Sequence, residues 1–172
     1  MKKRMLILAV VGMTGVMSAE NMIKNGDFET AGNWTWDGDR KLTPFTFVTE
    51  DARGGKACMK LEKYACQGGV TLEKGKSYKL TVSVKCQDCK PDAFCVKFLK
   101  FKGGKPAGWL ARNGVYQLIR TGGTHDWQEF SRVIKADEIG DGASGYLFIS
   151  HEKPEGSIWV DNLSLEVLPE EE

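Results

Sequence analysis

Two carboxylates lie two residues apart near the start of this 172-residue chain, in Asn25-Gly26-Asp27-Phe28-Glu29. Asn-Gly is a turn dipeptide, because both residues tolerate positive φ. Alternation beyond the turn predicts Phe28 on one face and Asp27 and Glu29 on the other. A tight turn beside two carboxylates is an ordinary way to gather oxygen ligands for a hard cation. The competing reading leaves both as solvated charges on an edge strand.

A second stretch with chemical potential is Gly108-Trp109-Leu-Ala-Arg112-Asn113-Gly-Val-Tyr116-Gln117. Sugar rings present apolar C–H faces that stack on aromatic rings, while amides and guanidinium groups bond the hydroxyls. Trp109, Arg112, Tyr116 and Gln117 are therefore candidate glycan contacts, with Trp36 as a further stacking surface. The competing reading puts Trp109 and Tyr116 in the core. Trp127, which starts a strand with Phe130 behind it, reads as core.

Catalytic motifs do not emerge. His125 sits in a polar turn and His151 ends a strand, and neither belongs to an HExxH pattern. Gly142-Ala-Ser144-Gly145 misses the spacing of a nucleophile elbow by one residue. The expectation is a protein without enzymatic activity.

The five cysteines are Cys58, Cys66, Cys86, Cys89 and Cys95. In an oxidising compartment disulfides are the default. Cys86 with Cys95 and Cys58 with Cys66 are the expected pairs, leaving Cys89 free or bonded to another chain. Cys86-Gln-Asp-Cys89 is also a CxxC, but it lies between strands rather than in a βαβ setting, which argues against thioredoxin-like chemistry. A zinc site from Cys86, Cys89 and Cys95 lacks a fourth ligand.

The elements that must position these groups come from the patterning. Lys2, Lys3 and Arg4 precede an uncharged run to Met17 and the small residues Ser18 and Ala19. That is a signal-peptide pattern over 1–19, too short for an ordinary membrane span, and cleavage is expected after Ala19. The protein is thus expected to be secreted or periplasmic, with no membrane attachment after cleavage. The leader holds three of the 24 basic side chains and none of the 23 acidic ones, so the mature chain is slightly acidic. No basic stripe suggests nucleic-acid binding.

Residues 20–168 read as one all-β domain, and 169–172 as an acidic tail. Tyr78, Leu80, Val82 and Val84 alternate with Lys79, Thr81, Ser83 and Lys85 in the cleanest strand pattern. Ala93 to Lys102 is apolar on both faces, as a central strand would be. Further strands are expected at Pro44–Thr49, Gln67–Leu72, Val115–Arg120, Trp127–Lys135, Tyr146–His151 and Ile158–Leu168. No stretch carries a helical period. Many short strands separated by turn signals predict an antiparallel sandwich or barrel.

The segments NMIKNGDFE, GGKACMKLE, GVTLEKGKSYKLTVSVK, HDWQEFSRVIK and IWVDNLSLEV, in this order, resemble the carbohydrate-binding modules of families 4, 9, 16 and 22. The resemblance implies a galactose-binding-like jelly-roll β-sandwich that binds β-glucan, xylan or related polysaccharide or oligosaccharide chains on a concave face. It also implies a structural calcium between the first and last strands. Its acidic ligands would be Glu29 and Asp161, with backbone carbonyls near Asp27 and in the Gly55-Lys56 turn. The alternative is the same jelly roll serving as a protein–protein or cell-surface structural module whose partner is unknown.

Overall fold

The computed structural model describes residues 20–35 and 45–169. The leader, Trp36 and residues 170–172 lie outside the described residues.

The strands are β1 (Phe45–Val48), β2 (Cys58–Leu61), β3 (Tyr64–Leu72), β4 (Tyr78–Gln87), β5 (Phe94–Lys102), β6 (Lys105–Trp109), β7 (Ile119–Thr121), β8 (His125–Ile134), β9 (Ala143–His151) and β10 (Ser157–Val167). They form two antiparallel sheets. The first runs β1-β2-β10-β4-β8. The second runs β3-β9-β5, with β6 and β7 both pairing to the far side of β5. The chain crosses repeatedly between sheets, as in a jelly-roll sandwich.

The clean alternation in β4 does what its period requires. Tyr78, Leu80, Val82 and Val84 are fully buried, and Lys79 is exposed. They face Phe94, Val96 and Phe98 of β5 and Leu147 and Ile149 of β9 in one core cluster. Ile158, Val160 and Leu165 of β10 complete the inner layer. Each such side chain contributes about 1.5–3 kcal/mol by leaving water.

The opening segment folds as turns rather than as a strand. Phe28 takes φ 54° and is fully buried, with Trp34 packed 5.4 Å from it. No strand forms there, yet Phe28 points inward while Asp27 is exposed and Glu29 half-buried, the split that alternation predicted. The segment does lie beside the last strand. Met22 N–H donates to Leu165 O at 2.9 Å, Leu163 N–H to Gly26 O at 2.8 Å, and Leu165 N–H to the Asn21 side chain at 3.0 Å. Gln67 of β3 exchanges two 2.8 Å bonds with the Lys24 main chain, tying the segment to the second sheet as well.

Four expectations need correction. Of the Val115–Arg120 stretch only Ile119 and Arg120 belong to a strand, β7, and Val115 and Tyr116 are exposed in the loop before it. Ala136–Ile139 forms a single helical turn. Trp127 is not core: it is half-buried, and its indole N–H donates to Asp51 O at 2.8 Å. Neither expected disulfide forms, and all five cysteines are buried. Each expected pair is divided between the sheets, with Cys58 in β2 and Cys86 in β4 of the first, Cys66 in β3 and Cys95 in β5 of the second. Strand alternation also puts Cys66 and Cys95 on the outer face of the second sheet, outside the core cluster, so neither faces its expected partner in the first.

Burial pushes the Cys58, Cys86 and Cys95 thiols up to about 12, with carboxylates near Cys58 and the neighbouring Cys89 beside Cys86 adding to the effect. Thiolates are the reactive form, so these groups are inert in the fold. Native protein should react with an aromatic disulfide reagent at pH 8 only at the rate of unfolding, and denatured, unreduced protein should yield five thiols. Three or fewer after denaturation would refute the free-cysteine structure.

Candidate functional site

Sheet alternation gives the second sheet an inner face for the core and an outer face that the first sheet does not cover. On that outer face β9 places Ser144, Tyr146, Phe148 and Ser150. The register aligns Phe148 with Cys66 and Lys97, and Tyr146 with Gly68 and Leu99, while Leu99 pairs onward with Trp109. Cross-strand neighbours on one face are about 4.5–5.5 Å apart, so the rings must meet.

They form a continuous strip. Tyr64 lies 6.1 Å from Phe148, Phe148 lies 6.4 Å from Tyr146, and Tyr146 lies 5.1 Å from Phe101. Trp109 meets Phe148 edge-on at 5.5 Å and stacks on Tyr116 at 6.2 Å. Gly68 makes room for the Tyr146 ring: a Cβ there would sit 2.6 Å from Tyr146 Cε1.

Three hollows run along this face. One of about 330 Å³ is lined by Tyr64, Lys97, Trp109, Phe148 and Glu152. One of about 450 Å³ shares Phe148 with it and continues over Tyr146, Leu99 and Phe101. A third, about 220 Å³, shares Glu152 and adds Gln117, Arg120 and Lys153. Together they make one groove, aromatic on its floor and charged toward one end. A larger hollow of about 600 Å³ near Ser77 and Lys135 has no aromatic ring in its lining.

Lys97 is the polar centre of the groove. Its ammonium donates to Glu152 Oε1 at 2.7 Å and sits 5.0 Å from the Trp109 ring centre and 5.9 Å from that of Tyr116. At 9% exposure this cation is held by one carboxylate and two ring faces. Lys97 and Glu152 thus offer an N–H donor and a carboxylate acceptor side by side.

Of the residues expected from sequence, the structure brings Trp109, Tyr116 and Gln117 to the groove. Arg112 is drawn elsewhere, to Glu138 at 3.4 Å, a carboxylate that Arg132 also holds at 2.6 Å. Trp36 lies outside the described residues. Sequence reasoning missed Tyr64, Lys97, Phe101, Tyr146, Phe148 and Glu152. The available signal was Tyr146-Leu-Phe148-Ile149, a strand apolar on both faces, which also describes a strand buried on both sides.

The carboxylates expected to bind a cation converge on the turn before β2. Glu29 Oε1 accepts from Lys56 N–H at 2.7 Å and Ala57 N–H at 3.2 Å. Asp161 is fully buried; its Oδ2 accepts from Arg53 and Gly54 N–H at 3.0 and 3.3 Å, and its Oδ1 from Asn162 N–H at 2.7 Å. Burial raises the Asp161 carboxyl above its ordinary value, the three backbone donors oppose this, and the Glu29 charge adds to it. Neither carboxylate has an ion-pair partner among the described residues. Asp27 stays exposed, its side chain accepting from Glu29 N–H at 3.5 Å, and Lys56 contributes its N–H to Glu29. Among the described residues no third acidic, histidine or cysteine side chain joins the pair. Two anions at one turn, one of them buried and without a counter-charge, suit a cation whose other ligands come from main-chain carbonyls.

The architecture matches solved structures over most of both chains. The Family 16 Carbohydrate Binding Module-2 superposes with a TM-score of 0.60 at 23% identity, covering 84% of this chain and 99% of that one. The CBM22-1 xylan-binding domain from Paenibacillus barcinonensis Xyn10C gives 0.58 at 12% identity, covering 90% and 98%. A family 4 module gives 0.53 at 19% identity, covering 85% and 99%. The fold is that of a carbohydrate-binding module. No family model and no curated protein sequence matches the chain. The likeness to these structures is thus one of fold, an antiparallel jelly-roll β-sandwich.

The Asp161 environment sets a sign for pH. A carboxyl raised above its unfolded value, 3.8, contributes stability that is full below that value and lost as pH rises through the higher folded one. In chelator, the melting temperature of the wild-type protein minus that of Asp161→Asn should grow as pH is lowered from 7 toward 4. A flat or opposite trend would show that the Asp161 carboxylate is compensated in the metal-free fold.

Proposed function

We propose that this chain is a secreted, non-catalytic carbohydrate-binding module that holds a polysaccharide or oligosaccharide of β-glucan or xylan type along the aromatic groove. The observation that carries the reading is the strip from Tyr64 through Phe148, Tyr146 and Phe101, with Trp109 and Tyr116 at its side. Sugar rings would lie with their C–H faces on these rings, which lose little entropy because they are already packed. Lys97 would donate to ring hydroxyls, Glu152 would accept from them, and Gln117 can do both. Similar structures whose titles name xylan as ligand support the substrate class.

Calcium is part of the proposal. Glu29 and Asp161 would hold it, and its charge would neutralise two carboxylates that otherwise repel across the turn before β2. Its role there is structural, far from any reacting group.

Affinity electrophoresis against xylan and β-glucan tests the reading. Phe148→Ala and Trp109→Ala should each weaken binding at least about threefold to tenfold, the worth of one aromatic contact. Unchanged affinity in both folded variants would remove the groove from the site. Folded protein that binds neither polymer would favour the structural-module alternative. Calcium at a hundredfold excess over its dissociation constant should stabilise the wild type by about 2.7 kcal/mol, a rise of several degrees in Tm, and Glu29→Gln by much less. Equal shifts in both proteins would place any cation elsewhere.

A further inference from the structure

Charge is distributed unequally between the two sheets. The strands of the first sheet carry Lys60, Lys79, Lys85 and Arg132 against Asp126, Glu129, Asp161 and Glu166. The strands of the second carry Lys97, Lys100, Lys102, Lys105 and Arg120, and no acidic residue. The sheet that bears the groove is the basic one, although the chain as a whole is close to neutral.

Within the groove this excess is concentrated at one end. The two hollows that share Glu152 are lined by Lys63, Lys97, Arg120 and Lys153, against Glu152 and Asp92. Glu152 is committed to Lys97 at 2.7 Å. Asp92 meets Arg120 at 3.6 Å, with both side chains more than half exposed. Lys63 and Lys153 are exposed and enter no ion pair among the described residues; the Lys153 ammonium donates only to the Pro91 carbonyl. The hollow at the other end, over Leu99, Phe101 and Tyr146, is lined without a charged side chain.

The groove is therefore divided: an uncharged aromatic half, and a half in which Lys63 lines the hollow that holds Tyr64 and Trp109 while Lys153 lines the adjoining hollow, neither ammonium being neutralised by a carboxylate among the described residues. From this division we infer, on the basis of the sugar-binding reading above, that the ligand is an acidic glycan. A neutral ring would lie over Tyr146 and Phe101, and a ring bearing a carboxylate would lie over Tyr64 and Trp109 between Lys63 and Lys153. A purely neutral polymer would leave the two lysines at the mouth without a role in recognition. A ligand with no apolar ring faces would leave the aromatic strip unused. A neutral β-linked backbone substituted with uronate units meets both requirements.

The experiment compares one polymer in two states of charge. Glucuronoxylan and the same material after chemical reduction of its carboxyl groups present identical backbones. Binding is measured by calorimetry at 20 mM and 500 mM sodium chloride. The uronate form should bind about tenfold more tightly at low salt, the worth of two exposed charge contacts, and most of that advantage should vanish at high salt. The Lys63→Gln/Lys153→Gln double variant, checked for an unchanged melting temperature, should lose the preference. Glu152→Gln should strengthen it, because Lys97 is then released toward the ligand; a loss of the preference in this variant, once shown to be folded, counts against the assignment. Equal binding of the two polymers would overturn the acidic-ligand inference and leave the sugar-binding reading standing. Binding to a sulfated polysaccharide but not to the uronate form would overturn the carboxylate assignment. Binding of none of these would overturn both readings.

Discussion

Everything in this molecule follows from one sheet having to satisfy two surroundings. The second sheet presses Phe94, Val96, Phe98, Leu147 and Ile149 against the first and thereby supplies half the core. The pleat then forces the intervening residues, Lys97, Leu99, Phe101, Tyr146 and Phe148, onto the opposite side, where no further sheet layer lies among the described residues. The inner face can be filled by any well-shaped apolar set. The outer face stays half-buried because its rings lean on one another rather than on a third layer.

The two inner faces are held in register at one end of the sandwich by the opening segment. It has no strand of its own, yet it bonds to β10 through Asn21, Met22 and Gly26 and to β3 through the paired amide of Gln67. Asn and Gln side chains carry the same donor and acceptor as a peptide group, so each extends a ladder without a neighbouring strand. The Glu29 and Asp161 carboxylates converge on the 53–57 turn alongside this closure, each already held by main-chain N–H groups. The cost of burying Asp161 is met only in part by those donors.

How much of this the sequence revealed depended on whether a residue's surroundings were set locally. The alternation in β4 and the two-sided apolar run of β5 were legible, because the period alone decides them. The jelly roll, and the nearness of the first and last segments, were legible through the ordered resemblance. The aromatic strip was not. Tyr146 and Phe148 look the same in sequence whether a third layer covers them or not, and only topology shows that no third sheet lies over them among the described residues. Trp109, Tyr116 and Gln117 stood out because they lie among polar loop residues. Arg112 lies among the same residues, but Glu138, distant in sequence, takes it. The cysteines misled for a similar reason: short sequence separation suggests a bridge, whereas Cys58 and Cys66, though only eight residues apart, belong to opposite sheets.

The absence of a side chain at Gly68 has a further consequence. With the Tyr146 ring settled over that backbone and flanked by Phe101 and Phe148, its rotamer is fixed before any ligand arrives. The flat surface that a sugar ring would meet is thus preformed, and the ordering cost of an aromatic side chain has been met during folding. Position 68 acts as a depth gauge for the groove. A methyl group there would press on the Tyr146 ring from beneath, lift it and tilt the strip of which it is part.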